Sequence, residues 1–114
     1  MGKVKERVIP LLSPEKILSI IEEQEQVLNE YGVKKIGLFG SHVRLEQTNN
    51  SDVDILVEFE QGKKTFDNYM DLKYYLEDLF DRKVDLVTVE GVKPELAPSI
   101  LGSVKYAEHS SLTQ

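Results

Sequence analysis

The sequence predicts a small α/β domain: one sheet with helices packed on one or both faces. Three observations carry this. Apolar residues recur at helical spacing over 13–31 and again over 65–80. They run or alternate at strand spacing over 35–39, 52–60 and 83–89. The two kinds of segment take turns along the chain, which is the signature of helices layered on a sheet. At 114 residues the chain has the size of one domain.

The elements follow in order. Residues 1–12 show no period and read as an arm; 13–107 is the domain and 108–114 a mobile tail. Ser13-Pro14 opens the first helix, with serine as N-cap, proline in the first turn and Glu15 near the positive end of the dipole. Ile17, Ile20, Ile21, Gln24, Leu28 and Tyr31 keep helical spacing until Gly32 stops the helix. Lys35 to Phe39 is a short buried strand. Gly40-Ser41 breaks it; a brief helix to about Glu46 and a polar loop over 47–51 follow.

From Asp52 to Glu60 the chain alternates: Val53, Ile55, Val57 and Phe59 face one side, Asp52, Asp54, Leu56 and Glu58 the other. Gln61 to Lys64 turns the chain. Thr65 to Phe80 is an amphipathic helix marked by Tyr69, Leu72, Leu76, Leu79 and Phe80. Lys83 to Val89 is a third strand with Asp85 in its middle. A loop and short helix reach about Gly102, and Val104 to Ala107 is a last short strand.

Composition narrows the function. There is no cysteine, hence neither a disulfide framework nor a thiolate metal site. The net charge of −6 and the lack of a basic stripe argue against general nucleic-acid binding, and favour cations or a basic protein partner. No segment reads as membrane-spanning or as a signal peptide, so the expectation is a cytoplasmic protein that does not bind membranes.

The chemistry concentrates in "FGSHVRLEQTNNSDVDILVEF". Residues two apart on a strand share a face, so Asp52 and Asp54 can lean toward one hard cation. Asp85, on another strand and flanked by apolar residues, needs a partner, and on a neighbouring strand it would complete a three-carboxylate site. Against this, an isolated D-x-D at a strand mouth is more often solvated than ligating. Gly40-Ser41 can cradle a phosphate, or can simply make a turn and cap a helix. Arg44 could meet a phosphate or be solvated; His42 and His109 have nothing to position them. "GKKT" at 62–65 is a turn and no P-loop, since Val57 stands where the first glycine is required and Lys64 where Ser or Thr is.

With these residues in their order, the chain resembles the DNA polymerase β-like nucleotidyltransferases, whose signature is a Gly-Ser turn followed by D-x-D. Over about 14–107, "LFGS", "SDVDILVEF", "VDLVT" and "KPELAPSILGSVKYA" are similar to the minimal nucleotidyltransferases, or MNT proteins. The resemblance implies a small mixed sheet with packed helices. It implies that Gly40 and Ser41, with Arg44, bind the nucleotide. Asp52 and Asp54 would ligate magnesium or manganese, and Asp85 would aid the metal or take the acceptor's proton. The family pattern has Arg-Gly after the turn; this chain has Arg44-Leu45.

The resemblance also implies a partner. MNT proteins pair with HEPN-type RNase toxins, and some transfer AMP from ATP to a toxin tyrosine. The expected function is therefore a metal-dependent adenylyltransferase antitoxin. Two alternatives stand beside it: an antitoxin that neutralises its partner by occlusion alone, and the catalytic subunit of an antibiotic-type nucleotidyltransferase. Self-association or hetero-association stays open.

Overall fold

In the computed structural model of the chain, residues 13–40 and 52–107 are described. The arm, the brief helix and loop expected over 41–51, and the tail lie outside them. Helix α1 (Pro14–Glu22) starts as its sequence dictates, the Ser13 hydroxyl accepting from the Lys16 amide at 3.1 Å. The single helix expected to reach Tyr31 is two. The Gln24 amide donates to the Ile21 carbonyl at 2.9 Å, three residues back, which tightens and ends the turn. The Gln24 side chain accepts from the Tyr75 hydroxyl across the core, and α2 (Glu25–Glu30) resumes beyond it. This tertiary bond holds Gln24 at the break, and Ile17, Ile21 and Leu28 all reach the core.

Four strands, β1 (Val33–Phe39), β2 (Val53–Phe59), β3 (Val84–Thr88) and β4 (Lys105–Tyr106), form one sheet in the order β3-β2-β1-β4. β1 runs antiparallel to β2 and β4, while β2 and β3 are parallel. Parallel neighbours require a crossover, and α3 (Phe66–Phe80) supplies it. Thr65 caps α3 through the Asn68 amide, and Asp81 ends it in the left-handed region at φ 53°. β1 begins two residues earlier than its sequence suggests, across an irregularity between Val33 and Lys35.

Alternation gives the sheet two unlike faces. Ile36 and Leu38, Val53, Ile55 and Val57, and Val84 and Leu86 lie on one, buried with Ile17, Ile21, Leu72, Leu76 and Phe80 of the helices. Burying each such side chain contributes roughly 1.5–3 kcal/mol. The other face carries Phe39, Asp54, Leu56, Asp85 and Val87. Beyond β3 come a 3-10 turn (Val89–Gly91), a helix α4 (Ala97–Ser103), and then β4. Among the described residues no helix is long and apolar enough to cross a membrane.

Candidate active site

The sheet register builds the site. Phe39 pairs with Asp54, and Asp54 pairs with Asp85, so the three form one row across β1, β2 and β3. Directly paired residues project from the same face, and adjacent strands lie about 4.8 Å apart. The two carboxylates are therefore neighbours on the face away from the main core, as the sequence reading expects for Asp85. Asp54 is half-buried and Asp85 exposed; Asp52, also exposed, stands one residue before β2.

Gly40 closes the site from the β1 side. Its φ of +80° is one that residues with a side chain rarely adopt. A Cβ at this position would sit 2.0 Å from Asp54 Oδ2 and 2.8 Å from its Cγ. The carboxylate thus lies against a bare α-carbon, and only glycine leaves it there. Ser41 and Arg44, the other expected nucleotide-binding residues, lie outside the described residues.

A cleft of about 280 Å³ opens beside Asp85, walled by Phe39, Val87, Leu96 and Ile100, with Lys93 also on its lining. Its walls are mostly apolar, with one carboxylate among them. The sequence reading missed this cleft. Val92, Leu96 and Ile100 recur at four-residue spacing, and that was the available signal.

On the far side of β3, α3 takes hold of the strand. The Tyr69 hydroxyl donates to the Leu86 carbonyl at 2.6 Å. Lys73 Nζ donates to the Val84 carbonyl at 2.9 Å, and the Val84 amide donates to Glu77 Oε2 at 3.0 Å. Lys73 and Glu77 also pair with each other at 2.8 Å. That ammonium, and after it the Val84 amide, hold the Glu77 carboxyl below the usual carboxylate range. The hydrogen bond to Glu77 in turn raises Lys73.

No three acidic or histidine side chains among the described residues stand close enough to hold an ion unaided. Magnesium, however, usually takes one or two carboxylates and completes its shell with phosphate oxygens and water. The adjacent Asp54 and Asp85 are oxygen donors of that hard kind, and the missing side chain at Gly40 lets the Asp54 carboxylate lie where it does. The residues present fit a divalent cation carried in with a nucleotide.

The comparisons with known proteins bear on family and fold. Residues 15–107 match the model of the nucleotidyltransferase domain. The chain belongs to the nucleotidyltransferase domain family. A relative in Thermococcus cleftensis, the protein adenylyltransferase MntA, is 41% identical over 97 residues, covering 84% of this chain and 97% of its own. Among solved structures, a candidate minimal nucleotidyltransferase superposes with a TM-score of 0.70 at 31% identity, over 82% of this chain and 94% of that one. A tri-AMPylated Shewanella oneidensis HEPN toxin in complex with MNT antitoxin gives 0.57 at 20% identity, over 84% and 76%. At that identity the likeness is one of fold. The nucleotidyltransferase domain therefore has the mixed sheet with packed helices that the sequence led us to expect.

Proposed function

We propose that this chain is a protein adenylyltransferase that moves AMP from ATP to a tyrosine hydroxyl of a HEPN-type toxin, and so acts as its antitoxin. A divalent ion, magnesium or manganese, serves as cofactor. The observation that carries the reading is the pairing of Asp54 with Asp85 on parallel strands, with the bare α-carbon of Gly40 against Asp54. Support also comes from the relative named a protein adenylyltransferase and from the fold neighbour in complex with an AMPylated HEPN toxin.

Asp54 and Asp85 would hold the cation through their carboxylate oxygens together with phosphate oxygens of the nucleotide, and Asp52, the third ligand expected from the sequence, would join them only by moving closer. Once bound, the ion supplies positive charge against the phosphates and the departing pyrophosphate. Gly40 and Ser41 would present backbone amides to the triphosphate, with Arg44 as a further phosphate contact. The apolar cleft suits the ring of the acceptor, because a phenol needs apolar walls and one acceptor for its hydroxyl. Asp85 lines that cleft and can take the hydroxyl proton as the new oxygen–phosphorus bond forms and the bond to pyrophosphate breaks. Catalysis is then positioning and charge neutralisation.

One experiment tests this. The wild type and Asp85→Asn are each mixed with a HEPN-type toxin, labelled ATP and magnesium, and the toxin is weighed by mass spectrometry. The expected result is that both variants bind the partner and only the wild type adds AMP to it. Equal neutralisation with no mass shift would mean occlusion. Label appearing only on an added small-molecule alcohol would mean an antibiotic-type enzyme.

A further inference from the structure

The grip of α3 on β3 does more than pack a helix. Strand residues alternate in the direction of their backbone polar groups. The Lys83 carbonyl accepts from the Val53 amide at 3.0 Å, so Lys83 and, by alternation, Asp85 turn their backbone groups toward β2. Val84 and Leu86 turn theirs outward, where β3 ends the sheet among the described strands. These are the groups that α3 takes up. Tyr69, Lys73 and Glu77 are spaced four apart, which places them in one row along the helix. That row contacts the residue before Asp85 on both its amide and its carbonyl, and the residue after Asp85 on its carbonyl.

We infer that Tyr69, Lys73 and Glu77 are positioning residues: they fix the pleat of β3 on both sides of Asp85, and so fix where its carboxylate stands relative to Asp54. The inference rests on the proposed role of Asp85 in binding metal and transferring AMP. Its physical basis is that Asp85 is exposed, so few contacts of its own hold it in place. The backbone on each side must do so, and on the outer edge those three side chains are what it meets. Lys73 and Glu77 are three-quarters covered, which keeps the bonds from competing freely with water.

Tyr75→Phe is the internal control. It also removes one hydroxyl from α3, but that hydroxyl is bonded to Gln24, away from β3. The test compares Tyr69→Phe, Glu77→Ala and Glu77→Gln with Tyr75→Phe, in the full chain. Manganese is titrated in the presence of a non-hydrolysable ATP analogue while paramagnetic broadening of the Asp85 and Asp54 amides is followed, and AMP transfer is measured on the same proteins. Tyr69→Phe and Glu77→Ala should bind manganese about tenfold more weakly, in line with the loss of a group that orients a ligand. The kcat for transfer should fall about tenfold with the KM for ATP nearly unchanged. Glu77→Gln, which keeps an acceptor for the Val84 amide, should recover part of both losses. Tyr75→Phe should change neither.

If Tyr69→Phe and Tyr75→Phe match in both readouts, the positioning role is overturned. If manganese leaves the wild-type Asp85 amide untouched, the inference and the metal role of Asp85 both fall. If manganese binding behaves as expected but the wild type transfers no AMP, the proposed function fails and the positioning role stands on the affinity data.

Discussion

At the scale of single residues, Gly40 is the most constrained position in the site. Two costs apply there together: a left-handed backbone at φ +80°, and a Cβ 2.0 Å from Asp54 Oδ2. Gly62 separates them, because it has φ +79° and nothing within 4 Å of where its Cβ would be. Gly62→Ala should therefore lose only the backbone cost, about 1 kcal/mol. Gly40→Ala should lose about 1 kcal/mol or more beyond that, since the clash forces the half-buried Asp54 carboxylate to move. Urea denaturation of the two variants measures the difference, and equal midpoint shifts would show that the contact with Asp54 is immaterial. The glycine and the D-x-D pair were legible in the sequence, because unusual residues at fixed offsets stand out there. The contact between Gly40 and Asp54 was not, since residues 14 apart touch only through the β1–β2 register.

At the scale of elements, the α3–β3 link should respond to pH with a definite sign. The folded Glu77 carboxyl titrates below its ordinary value of 4.5, so the folded state holds its proton less tightly than the unfolded chain does. Its stabilisation is full above that ordinary value and is lost as pH falls through the lowered one. The gap in melting temperature between wild type and Glu77→Gln should thus be widest near neutral pH and shrink in acid below 4.5. A gap that stays constant from neutral to acid would show that charge at Glu77 contributes nothing. Element reading from the sequence was sound wherever the period was strong. The range of α3 came within a residue because Thr65 and the stripe through Leu72, Leu76 and Phe80 mark it locally. The break between α1 and α2 escaped because the contact that accompanies it, from the Tyr75 hydroxyl to Gln24, comes from 51 positions away. Lys73 and Glu77 carry no local signal either, since their bonds are to β3 backbone that only the fold brings to them.

At the scale of the whole molecule, the net charge of −6 bears on how a partner arrives more than on which partner it is. Asp67, Asp71 and Asp78 are all exposed on α3 and add to the field on that side. With a toxin that presents a basic surface, the association rate should fall about tenfold between low and high salt, while dissociation changes little. Stopped-flow mixing at several salt concentrations measures both, and a flat association rate would remove steering from the account. The fold class itself was legible at this scale because alternation and order alone specify a layered sheet. Strand order was not, since it depends on which edges are left to pair.

Those edges carry a last consequence, for assembly. A sheet grows by adding strands to backbone groups left free at its margin. At β3 the outward groups of Val84, and the carbonyl of Leu86, are already taken by side chains. At the opposite margin β4 offers two residues, one of them a lysine. Among the described strands, neither margin is a template for another chain. Among the described residues, these two margins favour a partner that comes onto a face over one that adds a strand.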